Sequence, residues 1–166
     1  MVAALRKSGC AIDDRDEAIV AMAALVHDVS HLPFGHTFED ERKLFPRHDS
    51  SDRLNHFLST GELGEAVEAS GFGGDVIRML TDDAFETPWM RQIISSTIDA
   101  DLLDYLRRDA YFAGLRHDYD DRIFSTFVVE DDRLAVDTTK MSTRTEILHL
   151  LRLRYFLTER VYYHHA

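Results

Sequence analysis

Leu25-Val26-His27-Asp28-Val29-Ser30-His31-Leu32-Pro33-Phe34-Gly35-His36-Thr37-Phe38-Glu39 follows directly on the most apolar stretch of this 166-residue chain. Upstream, Asp13 to Val29 opens on Asp-rich candidates for an N-cap and an acidic first turn. It then becomes apolar on nearly every face, which predicts a buried helix. That helix is expected to stop near Ser30 and His31, because Pro33 biases Leu32 away from helical angles and Gly35 follows. From His27 to Glu39, three His and two acids fall within thirteen positions. If the helix persists to His31, then His27 and His31 share a face, and Asp28 reaches the same point from the terminating turn. Imidazole with carboxylate suits one divalent metal ion, and the pattern leaves Mn, Mg, Fe, Ni, Co and Zn open. A single His-Asp pair at a helix end more often only hydrogen-bonds there. Five titratable groups so close together are too many for that reading.

Working outward, His48 to Leu58 predicts a second helix, and Glu62 to Ala69 and Asp75 to Leu80 predict two short ones separated by a loop with Gly71, Gly73 and Gly74. Trp89 to Thr97 reads as helical after Pro88, a residue suited to a first helical turn. Asp99 to Phe112 is a stronger helix, ended by Gly114. On it Asp101, Tyr105 and Asp109 recur every four residues and line one stripe, roughly opposite Leu103, Leu106 and Ala110. On spacing alone that stripe reads as a solvated face. Phe124 to Val129 and Leu134 to Val136, separated by Glu130 to Arg133, predict a small β-hairpin. Ser142 to His165 then reads as one long helix capped by Ser142 or Thr143. The expected architecture is all-α, with a small β-hairpin before a long C-terminal helix.

Composition narrows the class. Apolar residues make up 45% and charged residues 30%, while eight Gly and three Pro leave low-complexity and disordered classes without support. The 19 basic and 30 acidic residues give a net charge of −11, which argues against unspecific binding to nucleic acid or anionic membranes. The longest apolar run, Ala18 to Val26, has nine residues and is too short to span a bilayer. Cys10 is the single cysteine, so no intrachain disulfide forms and a cytoplasmic location is expected.

Two blocks raise the second constellation above a solvated stripe. One is Leu25 to Glu39; the other is Ile98-Asp99-Ala100-Asp101-Leu102-Leu103-Asp104-Tyr105-Leu106-Arg107-Arg108-Asp109. In this order the chain resembles the HD-domain phosphohydrolases, in particular the branch of deoxynucleoside triphosphate triphosphohydrolases. Arg154 and Val161-Tyr162-Tyr163-His164 resemble that family's late substrate-facing helix. A lone HD dipeptide carries almost no information, whereas the flanking His-x-Pro-Phe-x-His-Thr-Phe and Asp-Ala-Asp-x-x-Asp-Tyr patterns are specific.

The resemblance implies an HD-domain helical fold over residues 1–166 and metal ligation by His27, Asp28 and Asp101. It places His31, His36, Glu39 and His48 around a phosphate chain as proton donors, acceptors and charge partners. Tyr105 and Asp109 would contact the sugar, with Arg154 and Tyr162 completing a nucleotide pocket. Asp28 and Asp101 within about 4 Å of each other would repel by roughly 4 kcal/mol at an effective dielectric near 20, so their convergence calls for a cation. The activity implied is hydrolysis of a dNTP to deoxynucleoside and triphosphate. Another HD-type nucleotidase or phosphodiesterase, or a non-catalytic nucleotide- or partner-binding HD module, are the alternatives.

Several positions depart from the family pattern. That pattern takes a further metal-binding His from an upstream helix, yet His27 is the first His here. The expectation is therefore a chain lacking the family's N-terminal helix and C-terminal extension, with weakened activity and with apolar surface on Ala18 to Val26 that a homo-oligomer would cover. Ser30 stands where the family usually has Gly, Glu39 where Asp is frequent, and Asp49 where Glu often follows the His.

Overall fold

The computed structural model describes residues 1–163. Along the chain run α1 (Val2–Lys7), α2 (Asp14–Val26), a π-helical turn (Thr37–Glu41), α3 (Ser51–Ser59), α4 (Gly61–Ala69), α5 (Gly73–Thr81) and α6 (Pro88–Ile94). There follow α7 (Ala100–Phe112), a 3₁₀ turn (Asp121–Thr126), strands β1 (Phe127–Glu130) and β2 (Arg133–Val136), α8 (Met141–Leu157) and a second π-helical turn (Thr158–Tyr162). The expected all-α fold with a small hairpin is the one observed among the described residues. No helix of the described residues is long and apolar enough to cross a membrane. The elements group into two compact units, Asp13–Ile94 and a second made of Met1–Ile12 with Ser95–Ala166.

In the Asp13–Ile94 unit, α2 starts because the Asp13 carboxylate accepts from the Asp16 amide at 2.7 Å and three acids occupy the first turn. Its Ile19, Val20, Ala23 and Val26 are buried, and α2 packs on α5 and α6. The sequence predicted a helix apolar on nearly every face with some of that surface uncovered, and Leu25 on another face is 83% exposed. Helix α5 is the hub, touching α2, α3, α4 and α6, and its Val76 and Met79 are fully buried. Gly64 lets α4 begin tight against α3, since a Cβ there would lie 2.6 Å from the Ser59 carbonyl carbon.

In the other unit, α7 starts on the Asp99 cap, whose carboxylate accepts from the Leu102 amide at 2.8 Å. Leu103, Leu106 and Ala110 are buried, as their spacing predicted, and α7 packs on α8. Tyr119 donates to the Leu103 carbonyl at 2.7 Å, and the Arg107 guanidinium lies 4.2 Å from the Tyr119 ring centroid. Helix α1 packs on β1 and on the 3₁₀ turn. Asp131 and Asp132 at the hairpin tip both have positive φ, the geometry that suits a two-residue loop to the twist of its strands.

Several boundaries differ from the expectation. Helix α2 ends at Val26, because Val29 donates to the Val26 carbonyl and His31 to the Asp28 carbonyl, tightening the chain into turns. His31 therefore does not continue the helical face of His27. His48 precedes α3, and Gly73 and Gly74 open α5 instead of preceding it. Strand β1 begins at Phe127, since Phe124 belongs to the 3₁₀ turn. Helix α8 starts one residue before Ser142, so neither Ser142 nor Thr143 caps it. The predicted helical end at His165 and the motif position His164 lie outside the described residues. Helix α1 was not predicted at all; six residues give too short a window for periodicity.

Candidate functional site

The end of α2 and the loops around the first π-helical turn bring six of the predicted residues together within one unit. His27 Nδ1 lies 2.8 Å from the Ala24 carbonyl oxygen, which only accepts, so this nitrogen donates and the neutral ring offers its Nε2 lone pair. That Nε2 lies 3.6 Å from Asp28 Oδ1, and His48 Nε2 lies 3.6 Å from the same oxygen. A backbone carbonyl behind an imidazole, with a carboxylate beside its other nitrogen, is an arrangement that orients metal ligands. The donor set fits a divalent cation.

Behind His48 stands a buried pair. His48 is 7% exposed and Glu39 4%, and His48 Nδ1 donates to Glu39 Oε2 at 2.7 Å. Burial pushes the Glu39 carboxyl up, but the His48 hydrogen bond, with backbone and Arg53 contributions, more than offsets this and holds it below the usual carboxylate range. Arg53 secures the surroundings, donating to the Pro46 carbonyl at 2.8 Å and the Ser30 carbonyl at 2.7 Å, with Glu39 Oε1 3.5 Å away. The Ser30 hydroxyl donates to the His48 carbonyl at 2.6 Å. Ser30, a departure from the family pattern, thus fastens the loop after α2 to the turn before α3.

His36 Nδ1 donates to Asp40 Oδ2 at 3.2 Å, and Arg47 clamps both Asp40 and Asp49 at 2.8 Å. The His36 hydrogen bond is the main reason that the Asp40 carboxyl sits below its ordinary range. His31 Nδ1 donates to the Leu32 carbonyl at 2.9 Å. The rings of His31, His36 and His48 stand with centroids 4.3 to 5.4 Å apart. Gly35 makes room for this cluster: a Cβ there would lie 2.7 Å from His31 Cε1.

The other predicted residues belong to the unit containing α7 and α8. Tyr162 donates to Asp109 Oδ2 at 2.8 Å, and the Tyr105 and Tyr162 rings meet edge to face at 6.4 Å. Burial, then the Asp109 contact, pushes the Tyr162 phenol up; burial does the same for Tyr105, opposed by the Arg154 charge. Arg154 is exposed on α8 and Asp101 is half-buried in the first turn of α7.

Sequence reasoning missed Arg53, Asp40, Arg47 and the structural use of Ser30. Asp40 carried a signal, four residues after His36. Arg53 carried none, since its partners lie 7, 14 and 23 residues away.

The model of the HD domain family matches residues 1–109. The uncharacterized protein YwfO of Bacillus subtilis is 30% identical over 156 residues, covering 92% of this chain and 34% of that protein. The Dictyostelium discoideum protein named deoxynucleoside triphosphate triphosphohydrolase SAMHD1 homolog is 28% identical over 170 residues, covering 92% of this chain and 31% of that protein. A crystal structure of a phosphohydrolase from Bacteroides thetaiotaomicron is similar with a TM-score of 0.80 at 28% identity, over 98% of this chain and 38% of that one. The chain spans about a third of the length of these curated relatives.

Proposed function

The chain belongs to the HD domain family of the phosphohydrolase superfamily, and on that premise we propose that it is the metal-dependent phosphohydrolase portion of a dNTP triphosphohydrolase. The observation that carries the reading is the buried Glu39–His48 pair presenting His48 Nε2 to Asp28, beside His27.

His27, Asp28 and, from the second motif, Asp101 are the proposed ligands of one divalent ion. When bound, that ion would supply Lewis-acid polarisation of a phosphoryl oxygen and lower the pKa of a water. Hydrolysis adds a water oxygen to the α-phosphorus and breaks its bond to the 5′-oxygen, which must leave with a proton. We assign that proton to His48, because Glu39 accepts from Nδ1 and so leaves Nε2 as the atom that gains or gives it. His31 and His36 are proposed to face the remaining phosphate oxygens. Tyr105, Asp109, Tyr162 and Arg154 are the proposed sugar and nucleotide contacts. Tyr162 occupies one oxygen of Asp109, so the other remains to accept from a sugar hydroxyl. Assembly into a homo-oligomer is part of the same proposal, supported by the exposed Leu25 and by Phe34, 81% exposed.

The test is turnover of each dNTP by the purified chain loaded with Mn²⁺, with products separated by ion-exchange chromatography. Deoxynucleoside plus intact triphosphate is expected, with Asp101→Ala losing bound metal and at least about 10- to 100-fold in rate. An unchanged rate in Asp101→Ala overturns the reading. Orthophosphate release reassigns the chain to the nucleotidases, and binding without turnover to a nucleotide-binding module.

A further inference from the structure

We propose that His31, His36 and His48 form a tris-imidazole site for an imidazole-preferring divalent ion such as Zn²⁺, beside the His27–Asp28 pair, whose Asp28 Oδ1 lies 3.6 Å from His48 Nε2. One ring nitrogen of each lies within 4.8 Å of those of the other two. A tetrahedral ion with Zn–N bonds of about 2.0–2.1 Å holds nitrogens roughly 3.3–3.4 Å apart, so the rings need draw in by at most about 1.5 Å.

What distinguishes this cluster from a chance gathering of rings is the oxygen behind each one. His48 Nδ1 donates to the Glu39 carboxylate, His36 Nδ1 to the Asp40 carboxylate, and His31 Nδ1 to the Leu32 carbonyl. With each Nδ1 engaged by an oxygen, Nε2 is the nitrogen we assign to the ion in all three rings, its lone pair available in the neutral form. Carboxylates and carbonyls of this kind fix the tautomer and raise the basicity of metal-binding imidazoles. Arg47 and Arg53 in turn hold Asp40 and Glu39, so the supports are themselves supported. The donor set is all nitrogen, which selects Zn²⁺, Ni²⁺, Cu²⁺ or Co²⁺ and disfavours Mg²⁺. Gly35 leaves room for the His31 ring, so the site depends on a residue that is not itself a ligand.

One consequence rests on the phosphohydrolase reading: an ion seated on these three nitrogens would displace the phosphate oxygens and inhibit hydrolysis. The site itself does not depend on that reading, and its test is kept free of turnover.

Chelator-treated protein is dialysed against Zn²⁺ and its metal content measured, beside His36→Ala, Gly35→Ala and His27→Ala. His36 is 66% exposed at its side chain, so its removal leaves the packing intact. The parent is expected to hold one Zn²⁺ more than His36→Ala, and His27→Ala to keep that extra ion. Gly35→Ala should weaken it by at least about tenfold, the cost typical of a disturbed support around a ligand. Co²⁺ substitution should give visible absorption that His36→Ala loses and Mg²⁺ does not displace. Equal Zn²⁺ content in parent and His36→Ala, or loss of all Zn²⁺ in His27→Ala, overturns the proposal. Absence of dNTP turnover in Mn²⁺-loaded, Zn²⁺-free protein, with the Zn²⁺ stoichiometry intact in a parallel sample, would overturn the phosphohydrolase reading alone.

Discussion

Burial alone would raise the Glu39 carboxyl, but the His48 hydrogen bond, with Arg53, holds it below its ordinary range. Its folded value lies below the 4.5 of the free side chain, so in that interval the unfolded chain binds more protons. The resulting stability is complete above about pH 4.5 and is lost as pH falls through the folded value. In Glu39→Gln, denaturant unfolding followed from about pH 6 down to about pH 2.5 should show a shallower acid loss than the parent, and identical slopes would remove Glu39 from this role. The same substitution removes the acceptor that fixes the His48 tautomer, and turnover is expected to fall by roughly 10- to 100-fold. The His48 and Glu39 positions were legible as residues from the motif. Their pairing was not, because nine residues of loop without periodicity separate them.

Elements follow local rules where those rules are short-ranged. Asp13 was legible as a cap candidate and Asp99 as the first residue of its helix; in the structure both are caps whose carboxylates accept from an amide three residues on. Asp99 also accepts from the Ser96 amide, so Asp99→Ala should cost about 1–2 kcal/mol of stability in urea unfolding. Burial raises the Asp99 carboxyl despite these amides, so Asp99→Asn, which keeps an acceptor without the charge, should cost much less. Equal losses in the two variants would show that the charge, not the acceptor, holds the cap. The ends of helices were less legible. Helix α2 stops three residues early and Phe34 takes φ 58°, a conformation that costs an L-residue roughly 1–2 kcal/mol. No propensity predicts that; around Phe34 the Gly35 amide donates to the Leu32 carbonyl and the Phe38 amide to the Phe34 carbonyl.

For the whole molecule, net charge and apolar exposure pull in opposite directions. A charge of −11 opposes association, whereas Leu25 and Phe34 present apolar area to solvent. The proposed homo-oligomer makes the apolar term dominant. Light scattering should then report a multiple of the chain mass that rises with salt, as repulsion is screened, and Leu25→Glu should return the single-chain mass. A single-chain mass for the parent at every salt concentration would overturn the proposed assembly.

The sequence by itself determined the helical class, the hairpin, the starts of α2 and α7, the burial of Leu103, Leu106 and Ala110, and membership of the HD family. All of these rest on spacings of a few residues or on a motif read in order. The tertiary structure decided which donor meets which acceptor: His48 with Glu39, Arg53 with the Ser30 carbonyl 23 residues away, and Tyr162 with Asp109 across 53 residues. Periodicity and capping act within about four residues. The pairings that build the candidate site arise only when packing brings distant loops and helices together.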